Sequence, residues 1–348
     1  MGASPHKSIG PHPRIDPNSL ARFISRGERE ARMQLETVGI SGAGGIPRQA
    51  VVPPPARHPP GTFASILRAL RTVEWGVNPR DRAIITVYYA LLSASKVLRP
   101  SETARRGVHP EFWIGDVTME TSIGKFRCRG GTTDFDIVNP NYEPRLADAL
   151  TSVFEERSNQ PFAFLDVGAH IGKFSVLAAK VLRENGTIIA VEPDPENFAL
   201  LKENLVLNEA GNVRPRQMGC WSHDGVLPLH RRKTNLGGHS FMDAGGGETV
   251  LVPVRTVDHL LADEGIDRLD AIKIDVERAE AEVLRGARGV LEHSRDITVF
   301  FEETRDPETA ESVRFLRSLG FEITRLAGIT YVAIRATPAR GHPLLGPN

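Results

Sequence analysis

Cysteine is nearly absent from this chain: 348 residues carry 2, Cys128 and Cys220, with no C-x-x-C spacing. That excludes a disulfide framework and a cysteine zinc site, and makes a reducing, cytoplasmic setting the expectation. An excess of one charge is also missing. Lys and Arg number 43 and Asp and Glu 43, for a formal net charge of +0. No global field gathers phosphates, so no nucleic-acid partner is expected. Long apolar runs are lacking as well. The longest uncharged one, AIITVYYALLSAS at 83–95, is shorter than the roughly 20 residues of a membrane-spanning helix. The opening MGASPHKSIGPHPR has no apolar core for a secretion signal. His6 stands where a myristoylation motif has Ser or Thr.

What is present is unevenly distributed. Residues 1–60 are proline-rich and mildly basic, with the run VVPPPARHPP, and read as a disordered leader. Residues 61–103 read as a helical extension: Phe63, Ile66, Leu67 and Leu70 keep helical spacing, and Asn78-Pro79 interrupts it. These helices either pack on the main domain or take part in a homodimer contact. The main domain is placed at 104–337, with a tail at 338–348. It opens with FWIGDVTMETSIGKFRCRG and TTDFDIV, whose alternation predicts a small antiparallel β unit.

Beyond residue 160 strands and helices alternate. PFAFLDV, GTIIAVEP, VRPRQMGCW, LDAIKID and DITVFFEE read as strands, each followed by a helical pattern. FEITRL and ITYVAIR close the chain as strands. This pattern predicts an α/β fold: a doubly wound, mostly parallel sheet covered on both faces.

In such sheets ligands bind beyond the carboxyl ends of the strands. FLDVGAHIGKFSVLAAK, 164–180, turns from strand to helix at such a place. Gly168 and Gly172 permit positive φ or close approach of a ligand, and the helix start offers free N–H groups. The dinucleotide fingerprint G-x-G-x-x-G fails, because its later positions hold His170 and Lys173. An acid at the strand end, Asp166, repels a pyrophosphate but suits a ligand ammonium. Glu192, at the end of the next strand, is placed to accept hydrogen bonds from ribose hydroxyls. Together these point to S-adenosylmethionine rather than a nicotinamide dinucleotide. Further carboxylates gather at later strand ends: Asp275 and Glu277 beside Lys273, then Glu302 and Glu303.

DVGAHIGKFSVLAAK, AVEPDPENFALLKENLVLN, RTVDHLL, IKIDVERAEAEVLRGA and the FFEE strand resemble, in that order, the FkbM family of S-adenosylmethionine-dependent methyltransferases. The resemblance covers roughly residues 130–335. It implies a class I methyltransferase (Rossmann-like) sheet whose last strand is antiparallel. It also implies O-methylation of a hydroxyl on a sugar, glycan or other small molecule. Asp166, Gly168, Ala169, His170 and Gly172 would then lie around the methionine half. Glu192 would hold the ribose, Pro193 and Asp194 would shape the adenine side, and Asp275 and Glu277 would sit beside the transferred methyl. One departure stands out: the family's D-V-E-G reads D-V-E-R here, with Arg278 in the glycine position. Arg278 either narrows the site, adds a positive group for an anionic substrate, or is a tolerated change at a helix start.

An alcohol must lose its proton during methylation, which calls for a base. Asp275 is the first expectation. His239, in the glycine-rich loop 231–247, is the second, since imidazole titrates near neutral pH; Arg231, Arg232 and Lys233 of that loop either bind an anion or are solvated. No metal is expected. NPNY at 139–142 imitates an amino-methylation signature but lacks its second proline; Tyr142 and Glu143 read instead as a lid over the cofactor. The rival reading is a non-catalytic S-adenosylmethionine-binding module acting in a larger assembly.

Overall fold

The computed structural model describes residues 75–98, 115–231, 239–242 and 247–335. The leader, residues 62–74 of the helix read at 62–75, Arg232, Lys233 and the tail lie outside the described residues.

Helix α1 (Pro79–Leu98) starts where Asn78-Pro79 breaks the preceding pattern. Asn78 caps it, its Oδ1 accepting from the Asp81 N–H at 2.9 Å. It is followed by the antiparallel hairpin β1 (Val117–Glu120) and β2 (Lys125–Cys128). The second stretch read as β, TTDFDIV, is instead the short helix α2 (Asp134–Ile137). The reason is local polar chemistry. The Asp134 carboxylate accepts from the backbone and guanidinium N–H groups of Arg129, and the Thr132 hydroxyl accepts from the Asp134 N–H. These bonds close a turn that an extended chain cannot make. Helix α1 braces it: the Tyr88 ring stacks on Phe135 at 5.1 Å, and the Tyr88 hydroxyl donates to Asp136 at 3.0 Å. Helix α1 therefore packs on the turn of α2. No helix among the described residues is long and apolar enough to cross a membrane.

The remaining elements are α3 (Pro144–Glu156), β3 (Phe162–Val167), α4 (Lys173–Leu182), β4 (Gly186–Val191), α5 (Pro195–Leu207), β5 (Val213–Arg216), β6 (Gly219–Cys220), β7 (Gly225–His230), β8 (Thr249–Arg255), α6 (Val257–Asp263), β9 (Ala271–Ile274), α7 (Glu280–Gly286), α8 (Arg288–His293), β10 (Thr298–Glu302), α9 (Glu311–Ser318), β11 (Phe321–Ala327) and β12 (Thr330–Arg335). Seven strands form the main sheet in the order β11-β12-β10-β9-β3-β4-β5. β3, β4, β5, β9 and β10 run parallel, and β12 is antiparallel to both neighbours. This is the class I methyltransferase arrangement, and the antiparallel final strand agrees with the expectation.

Central strands are covered twice, so they read as unbroken apolar runs rather than alternations. All four residues of β9 are buried. On one face Leu165, Val167, Ile272, Ile274, Val299 and Phe301 meet the apolar stripes of α6, α7, α8 and α9. On the other, Phe164 packs edge-on against Phe154 of α3, ring centres 5.0 Å apart. A second sheet, β6-β8-β7, runs through part of the region read as VRPRQMGCW followed by loop.

Candidate functional site

The order of the main sheet reverses between β3 and β9, and there the strand tips enclose a cleft of about 300 Å³. Its floor is the glycine turn. Gly168 has φ +76°, His170 +51° and Gly172 +95°. The N–H groups of Gly168 and Ala169 both donate to the Val191 carbonyl at 3.0 Å, fastening the turn to the tip of β4. A Cβ on Gly168 would lie 1.9 Å from the Asp275 carbonyl oxygen, so only glycine lets β3 and β9 close here. At Gly172 a Cβ would meet Leu201 at 2.6 Å.

Gly168, Ala169, His170, Glu192, Pro193, Asp275, Glu277 and His239 all line the cleft. Glu192 is fixed from two sides. One carboxylate oxygen accepts from the His170 N–H at 2.8 Å and the other from the Asp194 N–H at 3.0 Å. Burial nonetheless pushes its pKa up to about 7. His170 is pushed down to about 4 by burial. Its two ring nitrogens are buried without a hydrogen-bond partner among the described residues, although Asp134 lies 3.8 Å away.

Three sequence-derived residues take a different place. Asp166 is fully buried beneath the turn and does not line the cleft. Its carboxylate accepts from the Ser175 hydroxyl at 2.7 Å and faces the Lys273 ammonium at 3.4 Å. Gly172 lies behind the wall, serving the packing of α4 on Leu201. Asp194 is the cap of α5, accepting from the Glu196 and Asn197 N–H groups at 3.0 Å, with Arg231 at 2.7 Å. All three shape the cleft from outside it. His239 lies 3.8 Å from Asp194; burial lowers its pKa.

At the other end Lys273 links the site. It donates to the Gly168 carbonyl at 3.1 Å and lies 3.5 Å from Asp275. Burial opposes its charge, but Asp166 and Asp275 offset this and hold it above its ordinary range. Across from it runs the segment 139–143. Lys173, the first residue of α4, donates to the Asn139 and Tyr142 carbonyls at 3.3 and 2.5 Å. Burial lowers Lys173 to about 8. Glu143, in left-handed conformation at φ +50°, hydrogen-bonds the Glu302 side chain. Burial, Asp275 and Glu143 push Glu302 up to about 9, so this pair holds a proton at neutral pH. Neither Glu143 nor Glu302 was read as a base from sequence. Their proximity is tertiary, and only the strand-end position of Glu302 gave a signal.

A second cavity of about 390 Å³ adjoins the first. Tyr142, Glu143, Glu277 and Glu302 line both, while Arg145, Arg278, Glu280 and the β11–β12 turn line the second alone. Glu277 and Arg278 have φ +52° and +82°. The Ser240 hydroxyl donates to the Glu277 carbonyl at 2.8 Å, so the 239–242 segment fastens this strained turn.

These features fit S-adenosylmethionine. Carboxylates at both ends suit its ammonium, sulfonium and ribose diol, Ile137, Phe174, Leu229, Phe241 and Val276 supply apolar walls, and His170 offers unused ring nitrogens.

Sequence comparisons with known proteins agree. The family model described as "Methyltransferase FkbM domain" matches residues 166–323. Methyltransferase sdnD of Sordaria araneosa is 32% identical over 218 residues, covering 53% of this chain and 82% of that protein. Hexuronic acid methyltransferase AglP of Haloferax volcanii is 25% identical over 181 residues, covering 51% and 72%. Among solved structures, an FkbM methyltransferase from Methylobacillus flagellatus KT aligns at TM-score 0.36 and 13% identity, covering 78% of this chain and 59% of that one. The family match begins at Asp166, so Tyr142, Glu143 and Arg145 precede it.

Proposed function

This chain belongs to the FkbM family of methyltransferases and uses S-adenosylmethionine, and we propose that it places the methyl group on a hydroxyl of a small molecule or glycan. The observation that carries the reading is the pair of carboxylates, Glu143 and Glu302, that lines both the cofactor cleft and the second cavity where the two adjoin. A hydroxyl needs a proton acceptor; an already nucleophilic amine does not. The name of the Haloferax volcanii relative refers to a hexuronic acid, a sugar acid that carries hydroxyls.

The bound cofactor supplies an electrophilic methyl on its sulfonium. The chain supplies the rest. Glu192 takes the ribose, with Gly168, Ala169 and His170 along the turn and Pro193 beside it. Asp275, steadied by Lys273, orients the acceptor oxygen. The acceptor enters through the second cavity, and its hydroxyl proton passes to the ionised oxygen of the Glu143–Glu302 pair. His239 belongs to the cofactor wall rather than to this proton path, and Glu277 shapes the junction.

Transfer from methyl-¹³C-labelled S-adenosylmethionine to a panel of hydroxyl and amine acceptors tests the reading. The expected product carries the label in a methyl ether. Label on nitrogen or carbon, or a labelled ether formed equally well by the Glu143→Gln, Glu302→Gln double variant, would overturn it.

A further inference from the structure

The polar groups of the second cavity fall into two sets. Its carboxylates are engaged: Glu143 and Glu302 bond each other, and Glu280 accepts from the Val276 and Arg278 N–H groups at 3.4 and 3.2 Å. Its guanidiniums are not. Neither Arg145 nor Arg278 has a side-chain hydrogen bond, ion pair or ring contact among the described residues. Elsewhere in the C-terminal half Arg285 pairs with Glu282 and Glu311, Arg288 with Glu292, Arg317 with Glu308, and Arg335 reaches two carbonyls, while Arg295, Arg305 and Arg314 share the lack of a partner but line neither cavity.

Arg278 adds a second observation. Its φ of +82° belongs to the left-handed region, where glycine is favoured. A long side chain kept there bears a strain that a merely solvated residue does not explain, and such strain gathers at ligand sites. Guanidinium groups match carboxylate and phosphate oxygens, often through two parallel hydrogen bonds.

The geometry points to an oxyanion subsite: Arg145 and Arg278 receive the carboxylate or phosphate of the acceptor while its hydroxyl faces the Glu143–Glu302 pair. This rests on the hydroxyl-acceptor reading above and narrows it to hydroxylated oxyanions. Arg145 comes from the start of α3, ahead of the matched family domain, and Arg278 from the turn after β9. The substrate class is therefore set partly by the N-terminal elements.

The test is a binding titration by NMR on the full chain saturated with S-adenosylhomocysteine. The probes are D-glucose, D-glucuronate and D-glucose 6-phosphate. The two anions are expected to bind about tenfold or more tightly than glucose, the scale of a lost charge-assisted contact. That preference should vanish in Arg278→Gly and in Arg145→Gln, with S-adenosylhomocysteine affinity unchanged in both. Tighter binding of glucuronate identifies a carboxylate as the source, and tighter binding of the phosphate a phosphoryl group; either supports the subsite. Equal binding of glucose, no binding of any probe, or a preference that survives in both variants would overturn it. Failure of the hydroxyl reading looks different: the anion preference persists while the transferred methyl appears on nitrogen or carbon.

Discussion

Two side chains, one strained in its backbone and one shifted in its titration, illustrate how the candidate site depends on single residues. Arg278 sits at φ +82°, where a Cβ costs roughly 1–2 kcal/mol and glycine has no such cost. Comparing Arg278→Gly with Arg278→Ala removes the guanidinium in both and isolates the backbone. The glycine variant should be more stable by about 1 kcal/mol, the reverse of the usual order. Paired urea denaturation curves check this, and equal midpoints would contradict it. The sequence contained part of this information, since an arginine in a glycine position was visible. The strain itself was not, because φ is set by the tertiary path of 275–280.

Glu302 gives a pH prediction. Its folded pKa, about 9, lies above its ordinary 4.5. Between those values the folded state holds a proton that the unfolded chain has released. Stability therefore falls as pH rises through that window. Replacing Glu302 with Gln should flatten the fall, measured as the pH dependence of the thermal midpoint from pH 5 to 9. A profile unchanged by the substitution would contradict the raised pKa.

At the scale of elements, the central strands were readable because twice-buried strands carry continuous apolar runs. β3, β4, β9 and β10 and their following helices appear where expected. The hairpin of β7 and β8 was not readable. Pro228 and Pro253 sit inside it and signal loop. The ladder accommodates them because β7 is an edge strand and β6 pairs only with Val254 and Arg255. Similarly, TTDFDIV has the period of a strand, yet Arg129 and Asp134 close it into a helix. Glu192 and Asp275, read from their strand-end positions, line the cleft, whereas Asp166, read in the same way, lies beneath it. The site was illegible where segments distant in sequence meet, as with Glu143 and Glu302.

Lys173 joins two such segments, α4 and 139–142, through two carbonyl bonds. Lys173→Met keeps the stem and removes the donors. Hydrogen exchange at residues 139–143 should speed up, and S-adenosylhomocysteine affinity should fall about tenfold. Unchanged exchange would mean that α1 holds the segment without Lys173, through the Asn139 amide that donates to the Tyr89 hydroxyl.

At the scale of the molecule, the same sheet supplies stability and function at opposite ends. Below, at the amino ends of the strands, Asp270 is buried, ion-paired with Arg157, and accepts from the Ala163 N–H at 2.8 Å. Removing the acid leaves a buried guanidinium uncompensated. Asp270→Ala should cost about 3–5 kcal/mol by urea denaturation while leaving S-adenosylhomocysteine affinity intact in the folded fraction. Above, at the carboxyl ends, Gly168 and Glu192 line the cleft proposed for the cofactor. The most direct measurement of this division is calorimetric titration of S-adenosylhomocysteine and NADH into the full chain, alongside Glu192→Ala and Gly168→Ala. S-adenosylhomocysteine should bind the native chain, NADH should not, and both substitutions should abolish or strongly weaken the binding. Binding that survives both substitutions, or that favours NADH, would contradict the placement of the cofactor on the glycine turn.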